Sequence, residues 1–425
     1  MSGERTAPAG WDIANLDDVV EILDSKRIPV NAKEREARVG QIPYYGATGQ
    51  VGWIDDYLFD EELVLLGEDG APFLEAAKPK AYIIRGKSWV NNHAHVLRAR
   101  NGIPNGYIKY YLDTVDYHEF VTGTTRLKLN QAAMRRIPVP VAPQEERARI
   151  VAEIEKQFSR LDEAVVSLKR IKVNLKRYKA AVLKAAVEGK LAPTGGPWKR
   201  AGLGDIATSI RNGYSKKPDA EQGTRIFRIS AVRPMELDAD DVRYLSGTPG
   251  KYEPFFVEPG DVLFTRYNGS RDYVGVCARV PANLPPTVYP DKLIRVRVPG
   301  SILLPEFLVI LASTGRAREY VESKIRTTAG QSGISGGDLK SLPLEIPCIA
   351  EQHRIIAEVE RRLSVIEELE VAVEANLTRA NCLRQSILAR AFAGKLASHA
   401  MKKTPDVSCD FPIAAESPST YRTTR

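Results

Sequence analysis

A repeat within the chain is the sequence feature that most constrains its fold. Residues 149–192 and 354–397 align at a constant offset of 205 without a gap, and 14 of the 44 positions are identical. Arg-Ile-x-Ala-Glu-x-Glu opens both copies and Gly-Lys-Leu-Ala closes them. Both copies should therefore form the same element, so the repeat predicts two similar units rather than two unrelated domains.

The repeated segments have the pattern of long, paired helices. Apolar residues recur every seven positions, which is typical of a coiled-coil seam. In the first copy the seam is Ile154, Leu161, Leu168, Leu175 and Val182, with Ala164, Ile171 and Tyr178 at complementary positions; in the second it is Val359, Ile366, Val373 and Ile387, with Ala380 and Asn376 weakening it. Gly189 and Gly394 follow the last apolar positions, where a helix C-terminus is expected.

The regions in front of the helices are repeated too. Trp11, Leu16, Asp18 and Val19 have the spacing of Trp198, Leu203, Asp205 and Ile206 at an offset of 187. Short apolar runs broken by turn signals predict an α+β, strand-rich fold for both regions. The expected organisation is a globular region at 1–143, a helix at 144–192, a globular region at 193–348, a helix at 349–398 and a disordered tail at 399–425.

The short connection between Ala192 and Trp198 predicts how the helices are arranged. The second globular region begins where the first helix ends, and it finishes where the second helix begins. If its two termini are close together, as domain termini often are, the helices run antiparallel. The expectation is a dumbbell of two strand-rich regions separated by two long antiparallel coiled-coil helices, related by a pseudo-twofold repeat. A long core hairpin without a spacing role is the alternative.

The chain is basic, with a net charge of +8, but the excess is unevenly distributed. Residues 1–143 carry 17 basic and 19 acidic side chains, 144–192 carry 12 and 7, and 193–348 carry 21 and 17. Residues 167–192 hold eight basic side chains against the single acid Glu188. That stripe is a candidate for contact with phosphate or an acidic partner, with a solvated helix face as the alternative.

Neither a membrane protein nor an exported one is expected. The most apolar stretch, Ser301–Ser313, is shorter than the roughly 18 residues that a membrane span needs, and it contains Pro305 and Glu306. Acidic residues such as Asp12 and Asp17 interrupt the segment where a signal peptide would be apolar. We therefore expect a cytoplasmic protein, with its four well-separated cysteines as reduced thiols.

Motifs that would carry catalysis are weak. Arg85–Ser88 resembles the end of a phosphate-binding loop, but Ala81 stands where that loop needs glycine, which predicts a plain turn. His93 and His95 could share a strand face and hold a metal, yet no third ligand is evident and structural histidines are favoured. Asp291, Glu322 and Lys324 have the letters of a metal-dependent nuclease at long spacing. The expectation is no catalytic residue and no metal site.

Polar turns with basic, amide and aromatic side chains are the candidates for DNA contact, because these residue types read bases and phosphates. The second region supplies most of them. The candidate DNA-binding residues are Arg266, Tyr267, Asn268, Arg271, Arg211, Tyr214, Lys216, Lys217 and Gln331 in the second region, and Tyr44, Tyr45, Arg126 and Lys128 in the first.

Taken together, these motifs resemble those of the specificity subunit of type I restriction-modification enzymes, over residues 11–397. The resemblance is carried by the two Trp-x4-Leu-x-Asp starts, the Gly49–Trp53 and Gly260–Arg266 segments, and the Gly-Lys-Leu helix ends. The helix opening Glu-Gln-x-Arg-Ile stands intact at Glu351–Ile355 and is altered to Glu146–Ile150 in the first copy.

The resemblance implies a DNA reader without its own active site. Two target recognition domains would each bind one half of an asymmetric bipartite site, and the helices would set the gap and dock two methyltransferase subunits that methylate adenine at N6. S-adenosylmethionine, Mg²⁺ and ATP are expected on partner subunits, which could include a restriction subunit. The alternatives are a metal-dependent DNA endonuclease using Asp291, Glu322 and Lys324, and a coiled-coil adaptor that does not bind DNA.

Overall fold

The computed structural model describes residues 7–191, 196–328 and 330–396. The expected tail at 399–425 and the expected boundaries at 192/193 and 398 lie outside these residues. The chain divides into two compact units, residues 1–169 with 374–425 and residues 170–373. Each long helix therefore contributes one half to each unit.

The first region is a strand-rich mixed fold with a few short helices. Its strands are β1 (Asp12–Asn15), β2 (Val20–Ile22), β3 (Ile42–Gly46), β4 (Gly49–Ile54), β5 (Phe59–Asp60), β6 (Leu63–Gly67), β7 (Ala81–Ile84), β8 (Lys87–Val90), β9 (Ala94–Ala99), β10 (Val121–Thr122), β11 (Lys128–Leu129) and β12 (Pro138–Val141). Its helices are α1 (Leu16–Val19), α2 (Ala32–Ala37), α3 (Asn105–Leu112) and α4 (Gln131–Arg135), and the long helix α5 (Gln144–Val187) follows.

The second region repeats this mixture. Its strands are β13 (Lys199–Gly202), β14 (Ser209–Asn212), β15 (Thr224–Phe227), β16 (Val232–Arg233), β17 (Glu236–Leu237), β18 (Val242–Leu245), β19 (Val262–Thr265), β20 (Tyr267–Asn268), β21 (Cys277–Arg279), β22 (Thr287–Val288), β23 (Leu293–Arg297), β24 (Arg326–Thr328), β25 (Gln331–Gly333) and β26 (Pro343–Ile346). Its helices are α6 (Leu203–Ile206), α7 (Pro305–Ser313), α8 (Gly315–Lys324) and α9 (Gly336–Lys340), and the long helix α10 (Ile349–Phe392) follows.

The two regions share one topology. Their main sheets have the orders β2-β9-β6-β7 and β14-β23-β19-β21, so equivalent strands occupy equivalent places. A smaller sheet in each region combines one parallel and one antiparallel pair, β3 with β8 and β4 in the first and β15 with β22 and β18 in the second. The predicted α+β repeat is confirmed, because the copies agree in strand order and not only in sequence.

The Trp-x4-Leu-x-Asp motif builds the same start in both regions. The residues before the leucine form the two-stranded ladders β1 with β12 and β13 with β26. Leu16 and Leu203 are fully buried at the start of α1 and α6. Asp18 and Asp205 each accept a hydrogen bond of 3.0 Å from the backbone N–H three residues earlier, which caps the short helix.

The opening of each long helix is fixed by a polar side chain that donates to two backbone carbonyl oxygens. Gln352 is fully buried and its Nε2 donates to the carbonyl oxygens of Ile302 and Pro347, at 2.9 and 3.0 Å. Arg147 stands at the same place in the first copy and donates to the carbonyl oxygens of Asn101 and Ala142, both at 2.8 Å. The altered motif of the first copy therefore makes equivalent bonds with a guanidinium in place of an amide.

The helix ends also match the sequence prediction. Gly189 and Gly394 both have φ of +69°, a conformation that favours glycine. Lys190 N donates to the Ala185 carbonyl oxygen and Lys395 N to that of Arg390, both at 2.9 Å, which is the Schellman pattern. The repeated Gly-Lys pair is thus a helix stop.

Helix segments run antiparallel within each unit and close its core. In the first unit Ile154 and Phe158 of α5 share a core with Leu388 and Phe392 of α10. In the second unit Val182 and Ala186 of α5 share a core with Ile355 and Val359 of α10. The start of one helix lies beside the end of the other in both cases, as predicted.

The burial along the helices refines the predicted seam. Seam positions such as Leu175, Ile366 and Val373 are buried. The complementary positions of the first copy, Ile171 and Tyr178, are 44% and 47% exposed, so their expected place in the seam was wrong. The ends of the helices bury further apolar side chains such as Phe158 and Ala186, whereas Ile171 and Tyr178 lie outside the covered band.

We expect Gln352→Leu to destabilise the second unit by about 3 kcal/mol. The change removes the hydrogen-bond partner of two buried carbonyl oxygens. It also removes the acceptor of the Leu304 N–H, which donates to Gln352 Oε1 at 2.9 Å. Denaturant unfolding measures the loss. The exposed Gln222→Leu is the matched control and should shift the midpoint little; equal shifts for both variants would contradict the assignment.

Candidate nucleic-acid interface

Several of the predicted DNA-contact segments of the second region are joined by backbone hydrogen bonds. Arg266 N donates to the Lys292 carbonyl oxygen at 2.8 Å, and Ile334 N donates to the Arg266 carbonyl oxygen at 3.0 Å. Asp291 N donates to the Tyr214 carbonyl oxygen at 2.8 Å. Segments far apart in sequence thereby meet in one surface.

The centre of this surface is a pair of short strands that we name the second ledge, residues Arg266–Asn268 and Gln331–Gly333. Tyr267 pairs with Gly333 and Asn268 with Ser332. A Cβ at position 333 would lie 2.2 Å from Tyr267 Cδ1, so glycine is required for the tyrosine ring to fit. The guanidinium carbon of Arg266 lies 4.6 Å from the centre of that ring, a cation–π contact that orients the arginine.

The other predicted residues of the second region are mostly solvent-facing. Arg211, Lys216, Lys217, Arg271 and Gln331 are exposed. Tyr214 is half-buried and makes edge-to-face contacts with Tyr252 and Phe255, whose ring centres lie 5.2 and 5.5 Å away, so much of its ring is packed against the protein. Asn268 Oδ1 accepts from Ser270 N at 2.9 Å, which shapes the turn after the ledge.

Two basic residues near the ledge were missed by sequence reasoning. Lys292 is exposed and its carbonyl oxygen accepts from Arg266 N. Arg326, in the strand that pairs with β25, has a side chain that is 80% exposed. Neither residue has a distinctive neighbour in sequence, and only the strand pairing identifies them.

The first region contains the corresponding structure, which we name the first ledge, residues Glu68–Gly70 and Arg126–Lys128. Leu129 N donates to the Glu68 carbonyl oxygen at 2.7 Å, Gly70 N donates to the Leu127 carbonyl oxygen at 3.0 Å, and Asp69 pairs with Lys128. Lys128 and Gly333 are related by the repeat offset of 205. Asp69 therefore stands where Tyr267 stands in the second ledge.

The charges of the first ledge are internally paired. Arg126 Nη2 lies 2.9 Å from Asp69 Oδ1, and Lys128 Nζ lies 3.3 Å from Glu68 Oε1. Both basic side chains are more than half exposed, whereas both carboxylates are largely covered. Tyr45 is half-buried, and its ring centre lies 6.0 Å from that of Tyr82.

Tyr44 corrects the predicted contact set. Its side chain is 1% exposed, and its hydroxyl donates to the Val30 carbonyl oxygen at 3.1 Å. A buried ring with a satisfied hydroxyl has no surface to present to a base. Tyr44 is a core residue, and its expected role in DNA contact was wrong.

His95 belongs to a buried ion-pair cluster. Its Nδ1 lies 2.6 Å from Asp24 Oδ2, and its Nε2 lies 2.9 Å from the Leu129 carbonyl oxygen. Glu68 completes the one group of His, Cys, Asp or Glu side chains close enough to hold a metal within the described residues. Arg27 Nη1 already lies 2.8 Å from Glu68 Oε2. The Arg27 guanidinium thus supplies a positive charge beside the two carboxylates.

The other catalytic motifs are placed as ordinary structure. Arg85–Ser88 spans the turn from β7 to β8, and Gly86 has φ of +67°, as a turn requires. Glu322 of the suggested nuclease set is ion-paired with Arg318 at 2.9 Å. Asp291 and Glu322 fall in no close group of potential metal ligands within the part of the chain that the structure describes.

The chain contains two copies of a strand-rich domain. Each copy has a polar ledge and packs against paired helix ends, which defines a repeated recognition module. Comparison with known proteins identifies the class of this module. A model of the type I restriction modification DNA specificity domain matches residues 8–176. The type I restriction enzyme EcoKI specificity subunit of Escherichia coli K12 is 34% identical over 73% of this chain and 70% of that protein. This chain belongs to the family of type I restriction-modification specificity subunits, which recognise DNA.

Further relatives agree. The StySPI specificity subunit of Salmonella potsdam is 28% identical over 73% of this chain and 70% of its own length. The crystal structure of the HsdS subunit from Thermoanaerobacter tengcongensis has a TM-score of 0.54 at 17% identity, over 92% of this chain and 99% of that one. A chain from a structure of the type I R-M system has a TM-score of 0.65 over the same shares, also at 17% identity. Both structures support the fold. None of the described helices is long and apolar enough to cross a membrane.

Replacing Asp24 with asparagine should give a pH-dependent loss of stability. Burial alone would raise the pKa of Asp24, but the hydrogen bond and charge of His95, the Val96 N–H and the charge of Arg27 outweigh it and hold the pKa below its ordinary value near 3.8. The ionised group therefore stabilises the fold above that value, and this stability is lost as pH falls through the lowered pKa.

We expect Asp24→Asn to lower the free energy of unfolding by about 2 kcal/mol at pH 7. The difference from wild type should shrink below about pH 4. Denaturant unfolding between pH 7 and pH 3 measures both quantities. Asp116→Asn, which removes the exposed partner of His118, is the control and should cost little. A wild-type advantage that persisted unchanged at pH 3 would contradict the assignment.

Proposed function

We propose that this chain is the sequence-reading subunit of a type I restriction-modification complex in the cytoplasm and contains no active site of its own. Each globular region reads one half of an asymmetric bipartite DNA site. The observation that carries the proposal is the repeat of one ledge with different side chains, because two similar readers with different surfaces recognise two different half-sites.

The proposed DNA contacts are the exposed and half-buried candidates of both ledges and their neighbours. In the second region these are Arg266, Tyr267, Asn268, Arg271, Arg211, Lys216, Lys217 and Gln331, together with Lys292 and Arg326, while Tyr214 contributes only the exposed part of its ring. In the first region they are Arg126, Lys128 and Tyr45. Arginine and asparagine pair with base edges, and lysine neutralises phosphate, so both kinds of contact are available.

The long helices are proposed to set the unspecified gap between the half-sites. Each is 44 residues long, and each anchors its start in one unit and its end in the other. A continuous helix is a stiff spacer with a rise of about 1.5 Å per residue. Because the ends of each helix are anchored and its rise per residue is constant, the helix length supports a role in setting the distance between the half-sites.

The helices are also proposed to dock two adenine-N6 methyltransferase subunits. Exposed apolar side chains away from the buried seam support this role, because apolar surface that collects on one element is a candidate contact for a partner. They include Ile171, Val173 and Tyr178 on α5, and Val365, Leu369 and Val371 on α10. S-adenosylmethionine would bind to the methyltransferase subunits, and ATP and Mg²⁺ to a restriction subunit where one is present.

Arg266→Ala tests the assignment of the second reader. In complex with the modification subunits, it should weaken DNA binding about tenfold and relax base preference in one half-site only, because an arginine that pairs with a base contributes roughly 1–3 kcal/mol of discrimination. Methylome sequencing and binding titrations measure the two effects. Arg233→Ala, an exposed arginine of the β16–β17 hairpin, is the control. An unchanged methylation pattern in Arg266→Ala would sink the assignment.

Lengthening both helices tests the ruler. One heptad inserted after Lys169 and another after Val373, the boundaries between the compact units, leaves the contacts within each unit in place. Seven residues add about 10 Å of helix, or roughly three base pairs of B-DNA. The methylated site should keep both half-sites and gain about three base pairs of gap. Altered half-sites with an unchanged gap would show that the helices take part in base reading instead.

A further inference from the structure

One backbone position supports an arginine in both ledges. Asp69 faces Lys128 across the first ledge, and Tyr267 faces Gly333 across the second. These two partner positions differ by the repeat offset of 205. The supporting residue is a carboxylate in one region and an aromatic ring in the other, although the surrounding backbone pairing is the same.

In the first ledge the supported residue is Arg126. Its Nη2 donates to Asp69 Oδ1 at 2.9 Å while its side chain stays 62% exposed. Gly70 makes room for it, since a Cβ there would lie 3.3 Å from Arg126 Nε. Among the described residues, Arg126 Nη1 has no hydrogen-bond partner. The guanidinium is thus held through Nη2, while Nη1 is available to donate to a ligand.

Asp69 is itself held in place. Its side chain is only 21% exposed, and its Oδ1 lies 2.7 Å from His93 Nδ1, although the two atoms do not have hydrogen-bond geometry. Its backbone is fixed by the pairing with Lys128 and by the hydrogen bonds of Leu129 N and Gly70 N on either side, so the carboxylate has little freedom to follow a moving arginine. Asp69 therefore works as a fixed support, whereas an ordinary surface ion pair is weak and mobile.

In the second ledge the supported residue lies next to its support in the same segment. Arg266 rests on Tyr267, and the ring needs Gly333 opposite it. In the first ledge the smaller Asp69 leaves space for Lys128. Glu68 stands at the position of Arg266, and Arg126 at that of Gln331. The arginine and its support have been rearranged across the same two strands.

Holding an exposed arginine in advance has a consequence for binding. An unsupported arginine side chain loses rotamer freedom when it contacts a ligand. This loss lowers affinity, and the direction of its N–H groups is less well defined before binding. A guanidinium fixed before binding presents its open N–H groups in one direction. The commonest base contact of such a group is the bidentate pair with O6 and N7 of guanine in the major groove.

We propose that Arg126, positioned by Asp69, selects a guanine in the half-site read by the first region. The inference rests on the proposed function, because it takes the first region as the reader of one half-site. Arg126 is the contact residue and Asp69 the positioning residue. In the second region Arg266, supported by Tyr267, has the corresponding role from the other segment of its ledge.

The test uses the full chain in complex with the modification subunits. Duplexes carrying the methylome-defined site, with each base pair of the first half-site replaced in turn, are compared by competition binding. Wild type should discriminate against loss of one guanine by about tenfold to a hundredfold. Arg126→Ala should abolish that discrimination, and Asp69→Ala should reduce it about threefold to tenfold, with Asp69→Asn retaining part of it because an acceptor remains. The other half-site should not change.

Arg85→Ala is the matched control, because Arg85 is 69% exposed, is paired with Glu62 at 2.8 Å, and lies at the other end of β6 from the ledge. It should leave base preference intact. Should Arg126→Ala abolish binding, Arg126→Lys keeps the charge and loses the bidentate contact, so its base preference gives the answer. A wild-type complex without a bipartite methylated site would refute the proposed function. A bipartite site whose base preferences survive in Arg126→Ala and Asp69→Ala would refute this inference alone.

Discussion

The structure depends on one constraint: neither long helix can bury its apolar stripe by itself. Each unit solves this by taking the start of one helix and the end of the other into its own core, Ile154 with Leu388 in the first and Val182 with Ile355 in the second. The globular regions thereby become the anchors of both helices. Side-chain donors, the half-buried Arg147 and the buried Gln352, then fix where each helix leaves its region.

Much of this fold could be predicted from the sequence because its causes are local and periodic. The seven-residue spacing specifies one covered line, and the glycines at 189 and 394 mark the stops. The seven-residue spacing could not predict that Ile171 and Tyr178 would be exposed, because an apolar residue beside the seam is buried only if a partner surface covers it. The prediction for Tyr44 was wrong for a related reason. Tyr44 and Tyr45 are adjacent on a strand and point to opposite faces, and only the position of the sheet decides which of them faces the core.

The candidate site was harder to predict than the fold. Sequence composition identified Arg266 and Arg126 as separate turn residues, but it could not relate the two turns. The offset between the copies is 205 at Arg126 and Gln331, whereas Glu68 and Arg266 are 198 residues apart. Insertions between the strands hide the correspondence until the hydrogen bonds of Leu129 and Ile334 reveal it. Lys292 and Arg326 were missed for the same reason, because only the strand pairing brings them close to the ledge.

The ledges also explain why net charge is a poor guide here. The first region is slightly acidic, yet its carboxylates Glu68 and Asp69 are largely covered and hold Lys128 and Arg126 toward solvent. Under the proposed function, an acid at the DNA-contacting surface need not repel DNA when it positions a cation that contacts a base. The second region reaches a similar presentation with an aromatic support and carries more positive charge. Two copies of one backbone can therefore diverge in specificity by exchanging the support and the supported residue, without any change in the strands that carry them.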